Sequence, residues 1–155
     1  MTAYIRMTEP RPPKLRLIFP PPETVADALV TLVVIVARYR RNWVIVRHRE
    51  RSTWEIPGGH REPGEDLEVA ARRELYEETG AQEFELRPVC LYSVASDRER
   101  SYGKLYFAEI SILGPLPSSE IAEIKLVVNL PLDNLTYAAI QPGLFQRISD
   151  SEHDG

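Results

Sequence analysis

A single cysteine, Cys90, occurs in the 155 residues, so no internal disulfide can staple this chain. Cys90 lies in an apolar run and reads as a buried thiol of a reducing compartment, the cytoplasm, rather than as a nucleophile. Long hydrophobic runs are equally scarce. The longest, Ala28 to Ala37, is interrupted by Thr31 and is too short to span a bilayer, and the opening MTAYIRMTEPRPPK lacks the apolar core of a secretion signal. No membrane partner is expected. Basic excess is missing too: 19 Lys and Arg against 23 Asp and Glu leave a formal charge of -4. That balance excludes a nonspecific duplex nucleic-acid binder, which must displace phosphate counterions with a basic surface. Small anionic ligands stay open, because local arginines or a bound cation can reverse the sign of one cleft.

What is present suits one compact domain. The chain is 43% hydrophobic and 27% charged, and a chain of this length buries roughly two thirds of its unfolded surface without a structural metal. Six of the thirteen prolines fall at Pro10, Pro12, Pro13, Pro20, Pro21 and Pro22, where they remove backbone donors. Residues 1–24 are therefore read as a proline-rich lead-in and residues 25–150 as the domain, with Lys14 to Phe19 able to add an edge strand. Tyr4 to Met7 can either reach a partner subunit or cover a cleft. The β-branched run from Ala28 predicts a buried strand, and RYRRN turns it into a second, WVIVRHR, as a hairpin. Phe84 to Ala95, Leu105 to Ile112 and Ile124 to Leu130 predict three more strands. NLTYAAIQPGLFQRI predicts a short helix, a break at Pro142, and an amphipathic helix with Leu144, Phe145 and Ile148 inward.

Between Asp66 and Thr79 there is no glycine or proline, and Gly80 stands where a helix C-cap belongs. The predicted helix carries Leu67, Ala70, Ala71 and Leu75 on one stripe, and Glu74, Glu77 and Glu78 converge on another face. Like charges at this spacing cost about a few tenths of a kcal/mol, and acids near a helix C terminus oppose its dipole. Arg73 alone cannot offset three of them. A hard divalent cation can: Mg²⁺ takes carboxylates, waters and substrate phosphate oxygens, with Mn²⁺ as substitute. The preceding PGGHREPGE reads as a loop in which Gly58 and Gly59 permit positive φ and close approach of the backbone to a ligand. Glu65 folds back to hold Arg73, which positions Glu74. The competing reading of the same residues is a solvated acidic face.

From Gly59 the order is glycine, five residues, Glu65, seven residues, Arg73, Glu74, Leu75, any residue, Glu77, Glu78, any residue, Gly80 and Ala81. This resembles the Nudix box, GX5EX7REUXEEXGU with U a bulky aliphatic, at every fixed charged or glycine position; only Ala81 is smaller than usual. The flanking strands and the WEIPGG segment resemble the Nudix domain order. The resemblance implies an α/β fold, an α/β/α sandwich around a mixed sheet, and a MutT-like hydrolase that cleaves a phosphoanhydride in a nucleoside diphosphate-linked small molecule. It implies Glu77 and Glu78 as principal metal ligands with the Gly58 carbonyl beside them, and Glu74 as a ligand or a guide for water. Arg73 would hold Glu74, Glu65 would support the loop, and Gly59 and Gly80 would serve backbone geometry. A general base would lie in the box or on a later loop, where Glu120 and Glu123 are the candidates and Glu109 a further one.

Arg38, Arg47 and Arg49 sit at strand ends where they can meet phosphate or solvent, and Asn134 can cap a helix or read a base edge. Trp43, Tyr102 and Tyr106 can stack on a base or pack in the core. His48 and His60 are not needed as ligands where oxygen donors suffice. The proline about 15 residues past the box in many ADP-ribose hydrolases is absent, and Tyr102 is out of register for dinucleoside polyphosphate hydrolases. Elimination favours a nucleoside triphosphate, oxidised or not, handled by a monomer or homodimer. The alternatives are a silent Nudix domain that senses a nucleotide or mediates assembly, although such domains often lose box carboxylates, and an isomerase of the isopentenyl diphosphate type.

Overall fold

The structure, a computed structural model, describes residues 14–154, with side chains through residue 151. The expectation for Tyr4 to Met7 lies outside the described residues. The elements are β1 (Arg16–Ile18), β2 (Val30–Tyr39), β3 (Asn42–His48), β4 (Gly58–His60), α1 (Leu67–Thr79), β5 (Ala81–Ala95), β6 (Arg100–Leu113), β7 (Ile121–Val127) and α2 (Gln141–Asp154). Two single 3₁₀ turns, Pro22–Thr24 and Asp27–Leu29, join β1 to β2.

The sheet runs β1-β5-β6-β2-β3-β7, and β4 adds to β2. It is mixed: β2 and β6 are parallel, and the other pairs are antiparallel. Side chains alternate along β2, so Val33, Ile35 and Ala37 meet Leu67, Ala70, Ala71 and Leu75 of α1, while Val36 meets Leu144 and Ile148 of α2. Each helix thus covers one face, which is the expected sandwich. The lead-in joins the sheet, with Arg16–Ile18 paired to Ser93–Ala95 at its edge.

β2 and β3 form a hairpin only at its tip, where Arg38 pairs with Trp43 and Tyr39 with Asn42. Beyond the tip β4 takes the edge of β2 that β3 leaves, with Ile35 N–H donating to the Pro57 carbonyl and Arg61 N–H to that of Thr31. β3 crosses to pair with β7. The expected glycine loop therefore contains a strand. Gly58 and Gly59 are not among the positive-φ residues, which among the described residues are Arg40, Arg41, Gly64 and Gly80. Space explains them instead: a Cβ on Gly58 would meet the Val33 carbonyl oxygen, and one on Gly59 the Glu74 carboxyl.

The stretch expected as a short helix before Pro142 is a series of turns, tied down by Trp54 N–H to the Asn134 carbonyl and Thr136 N–H to that of Trp54. Asn134 therefore caps no helix there. Pro142 does not break the helix; it lies in the first turn of α2, where its missing N–H leaves no bond unmade.

Candidate active site

The carboxylates are placed by how α1 is built. Asp66 caps its N terminus by accepting from Glu68 N–H, and Gly80 ends it in the left-handed region at φ 81°. A side chain on Gly80 would strike the Pro115 carbonyl, so the helix end fits closely against the segment after β6. Burying Leu67, Ala70, Ala71 and Leu75 against the sheet turns Glu74 and Glu78 toward β4 and leaves Glu77 more exposed.

Arg73 is the hub. Its Nε and Nη2 donate to both oxygens of Glu65 at 2.8 and 2.9 Å, a two-pronged contact matching guanidinium to carboxylate. Nη1 donates to Glu74 at 2.9 Å and to Glu77 at 3.3 Å, and Nη2 also reaches the His60 carbonyl. These bonds hold Glu65 well below the usual carboxylate range, at about 2, and the Glu62 amide assists. Glu74 is raised, because its burial outweighs the pull of Arg73.

Glu78 is 7% exposed. Its Oε1 accepts from Gly58 N–H at 2.9 Å. Burial pushes the carboxyl up to about 8; the Gly58 amide opposes this, and the charges of Glu74, Glu55 and Glu120 add to it. Its Oε2 has His48 Nε2 at 3.8 Å, beyond hydrogen-bond reach. The expected convergence of Glu74, Glu77 and Glu78 takes a different form. Glu74 and Glu77 turn to Arg73 while Glu78 turns to β4, and among the described residues no group of three or more His, Cys, Asp or Glu is set to hold an ion. The donors themselves, carboxylates with a backbone carbonyl nearby, are the hard oxygens that suit Mg²⁺ or Mn²⁺.

The later carboxylates separate. Glu120 Oε2 lies 3.9 Å from His48 Nδ1, on the side of Glu78. Glu123 pairs with Arg47 at 3.4 Å; alternation along β3 puts Arg47 on the face opposite His48, away from the box. Glu109 is engaged by Arg38 at 2.9 Å, and the Arg38 guanidinium also lies over Trp43 and Phe107. Arg38 is thus held at the far end of β2 from Gly58. Arg49 donates to the Ser119 carbonyl, and Arg47, Arg49 and Trp54 line an open cleft of about 590 Å³. Asn134 is exposed, with its backbone holding Trp54. Of the aromatic candidates, Tyr106 is core, Tyr102 packs against it, and Trp43 stacks edgewise on Phe145 at 4.8 Å.

Arg61 within the box and Glu55 before it carry no sequence signal strong enough to single them out, and His48 has none beyond its exclusion as a ligand. Arg61 ties the box loop to the turn before β2 through Asp27 at 2.7 Å. Glu55 is 5% exposed and faces Arg51 at 3.0 Å and His48 at 3.2 Å. His48 itself stands among Glu55, Glu78 and Glu120.

Known proteins share this architecture. The chain is 37% identical over 81 residues to YtkD of Bacillus subtilis, provisionally described as an 8-oxo-dGTP diphosphatase, covering 52% of this chain and 51% of that protein. It is 54% identical over 48 residues to an RNA pyrophosphohydrolase of Caulobacter vibrioides, covering 30% of this chain and 28% of the relative. The aligned parts therefore span about half or less of these relatives. The crystal structure of the Bacillus subtilis pyrophosphohydrolase BsRppH, an E68A mutant, superposes with a TM-score of 0.73 at 26% identity, over 88% of this chain and 90% of that one. The NUDIX domain profile matches residues 28–146. Since that match runs from just before β2 into α2 and takes in the whole box, the chain belongs to the NUDIX domain family.

Proposed function

We propose that this chain is a Mg²⁺-dependent Nudix hydrolase that cleaves a phosphoanhydride bond in a nucleotide-derived substrate, with a nucleoside 5′-triphosphate, oxidised or not, as the favoured class. The observation that carries the reading is the buried Glu78 fixed to the Gly58 amide beside an Arg73 that gathers Glu65, Glu74 and Glu77. The names of the similar proteins, one for 8-oxo-dGTP and others for RNA pyrophosphohydrolysis, support a triphosphate terminus.

Glu77 and Glu78 would hold the cation, with Glu74 and the Gly58 carbonyl contributing. A bound divalent cation supplies neutralisation of phosphate charge and a water of lowered pKa. Arg73 keeps Glu74 and Glu77 from springing apart and, through Glu65 and the His60 carbonyl, fixes α1 to the box loop. Glu120 is the better candidate than Glu123 for taking the proton of the attacking water, because it shares the Glu78 side of the sheet and is largely exposed. Arg49 is the arginine candidate for a phosphate contact at the cleft it lines, whereas Arg47 is engaged by Glu123 and by the His48 and Arg51 carbonyls.

Purified protein assayed against nucleoside di- and triphosphates, 5′-triphosphorylated RNA, ADP-ribose and dinucleoside polyphosphates, with Mg²⁺ or Mn²⁺, tests this reading by phosphate or pyrophosphate release. Turnover of a triphosphate is expected. Silence toward every compound under both metals would reject the enzyme in favour of a nucleotide-sensing domain.

A further inference from the structure

Glu55 lies outside the box, yet its buried carboxylate is one short step from Glu78. Arg51 donates to Glu55 Oε2 at 3.0 Å, and the same oxygen lies 3.2 Å from His48 Nε2. That ring nitrogen has a second possible acceptor in Glu78 Oε2, at 3.8 Å. The imidazole is therefore placed where two buried carboxylates compete for it, and Glu55 has the shorter approach. The outcome matters because Oε1 of Glu78 is already taken by Gly58 N–H. Oε2 is the oxygen left to meet anything else, and a hydrogen bond from His48 would close it.

We propose that Glu55 is a positioning residue: by holding His48, it keeps Glu78 Oε2 open to the cation assigned to the box. The inference rests on Glu78 being a metal ligand. Arg51 holds the same Glu55 oxygen at 3.0 Å, so the carboxylate does not swing away with the ring. Nothing in this chain of contacts touches substrate; it acts through Glu78 alone. Replacing Glu55 with a side chain that cannot accept frees the imidazole to turn onto Glu78, and removing the imidazole as well lifts that block.

The test is calorimetric titration of Mn²⁺ into substrate-free, full-length protein. Glu55→Leu is expected to weaken Mn²⁺ binding about tenfold, the scale of one hydrogen bond that must be broken first. Glu55→Gln keeps an acceptor oxygen for the ring and is expected to retain most of the affinity. The double variant Glu55→Leu/His48→Ala is expected to recover it, an outcome that a merely structural role for Glu55 would not produce. Circular dichroism checks folding, and Glu55→Ala replaces the leucine variant if that one does not fold. Unchanged affinity in Glu55→Leu, or an equal loss in the double variant, overturns the proposal while leaving the metal role of Glu78 standing. No Mn²⁺ binding by the wild-type protein overturns that role, and this inference with it.

Discussion

At the scale of single residues, the two adjacent glycines of the box separate space from chemistry. A Cβ at Gly58 would meet the Val33 carbonyl, a backbone atom that cannot yield without parting β4 from β2, whereas one at Gly59 would meet the mobile end of Glu74. Gly58→Ala should therefore lose about 1–3 kcal/mol of stability by overpacking, while Gly59→Ala should stay folded and lose turnover because Glu74 is pushed off Arg73; urea denaturation and steady-state rates read the two apart. Glu78 offers a second residue-scale prediction. Its folded-state pKa of about 8 lies above the usual carboxylate value, so the folded protein binds the proton more tightly and stability is lost as pH rises through the window between the two. Glu78→Gln, which carries no charge to bury, should abolish turnover yet be more stable than wild type in metal-free buffer, by roughly 1–3 kcal/mol near pH 8 and by little near pH 4. Melting curves across that range check the sign, and a variant less stable at pH 8 would reject it. Glu65 behaves oppositely: its depressed pKa of about 2 makes the Arg73 contact a source of stability above the ordinary carboxylate range that fades as acid approaches 2.

At the scale of elements, the sequence spoke clearly where a pattern was local. The helix expected over 66–79 is α1, with Asp66 as its cap and the apolar stripe of Leu67, Ala70, Ala71 and Leu75 buried as drawn. β4 was illegible because Gly58–His60 holds no β-branched or aromatic residue; it is a strand only because β2 presents an open edge to it. β3 is the strand expected at WVIVRHR, but its pairing was not legible, since contact with β2 stops at the tip and its main partner, β7, is far along the chain. The contact between Glu55 and His48 was illegible for a related reason, since only the bend between β3 and β4 brings the two together. The β2–β3 turn carries a flaw visible only in three dimensions: Arg40 and Arg41 have φ of 49° and 68°, a left-handed pair that a two-residue hairpin needs and that arginine adopts unwillingly. Changing the pair to Asn-Gly should raise stability by about 1 kcal/mol, read as a higher denaturation midpoint at unchanged slope, with catalysis unaffected because the turn lies at the opposite end of β2 from Gly58.

At the scale of the whole molecule, the sheet divides its work between its faces. One face, under α1, holds Glu74, Glu78 and His48; the other, under α2, is sealed by Leu144 and Ile148 and bears none of the box carboxylates. The described part of the lead-in, from Lys14 on, belongs to the sealed side. Leu17 reaches the space that a side chain on Gly143 would fill, and Arg147 of α2 lies 4.7 Å from the Phe19 ring. β1 also covers the edge of β5 that would otherwise present unpaired backbone groups to solvent. Removing residues 1–19 should then weaken the packing of α2 through the loss of Leu17 and Phe19. Two half-buried apolar side chains lost from that contact amount to about 2 kcal/mol, which for a domain of this size lowers Tm by about 4–8 °C. If residues 25–150 are the working unit, as we propose, the shortened protein keeps its kcat and KM at temperatures well below its new midpoint and shows only earlier thermal inactivation. A fall in kcat/KM at low temperature, with the fold intact by circular dichroism, would instead make the lead-in part of the site and move the domain boundary back to include it.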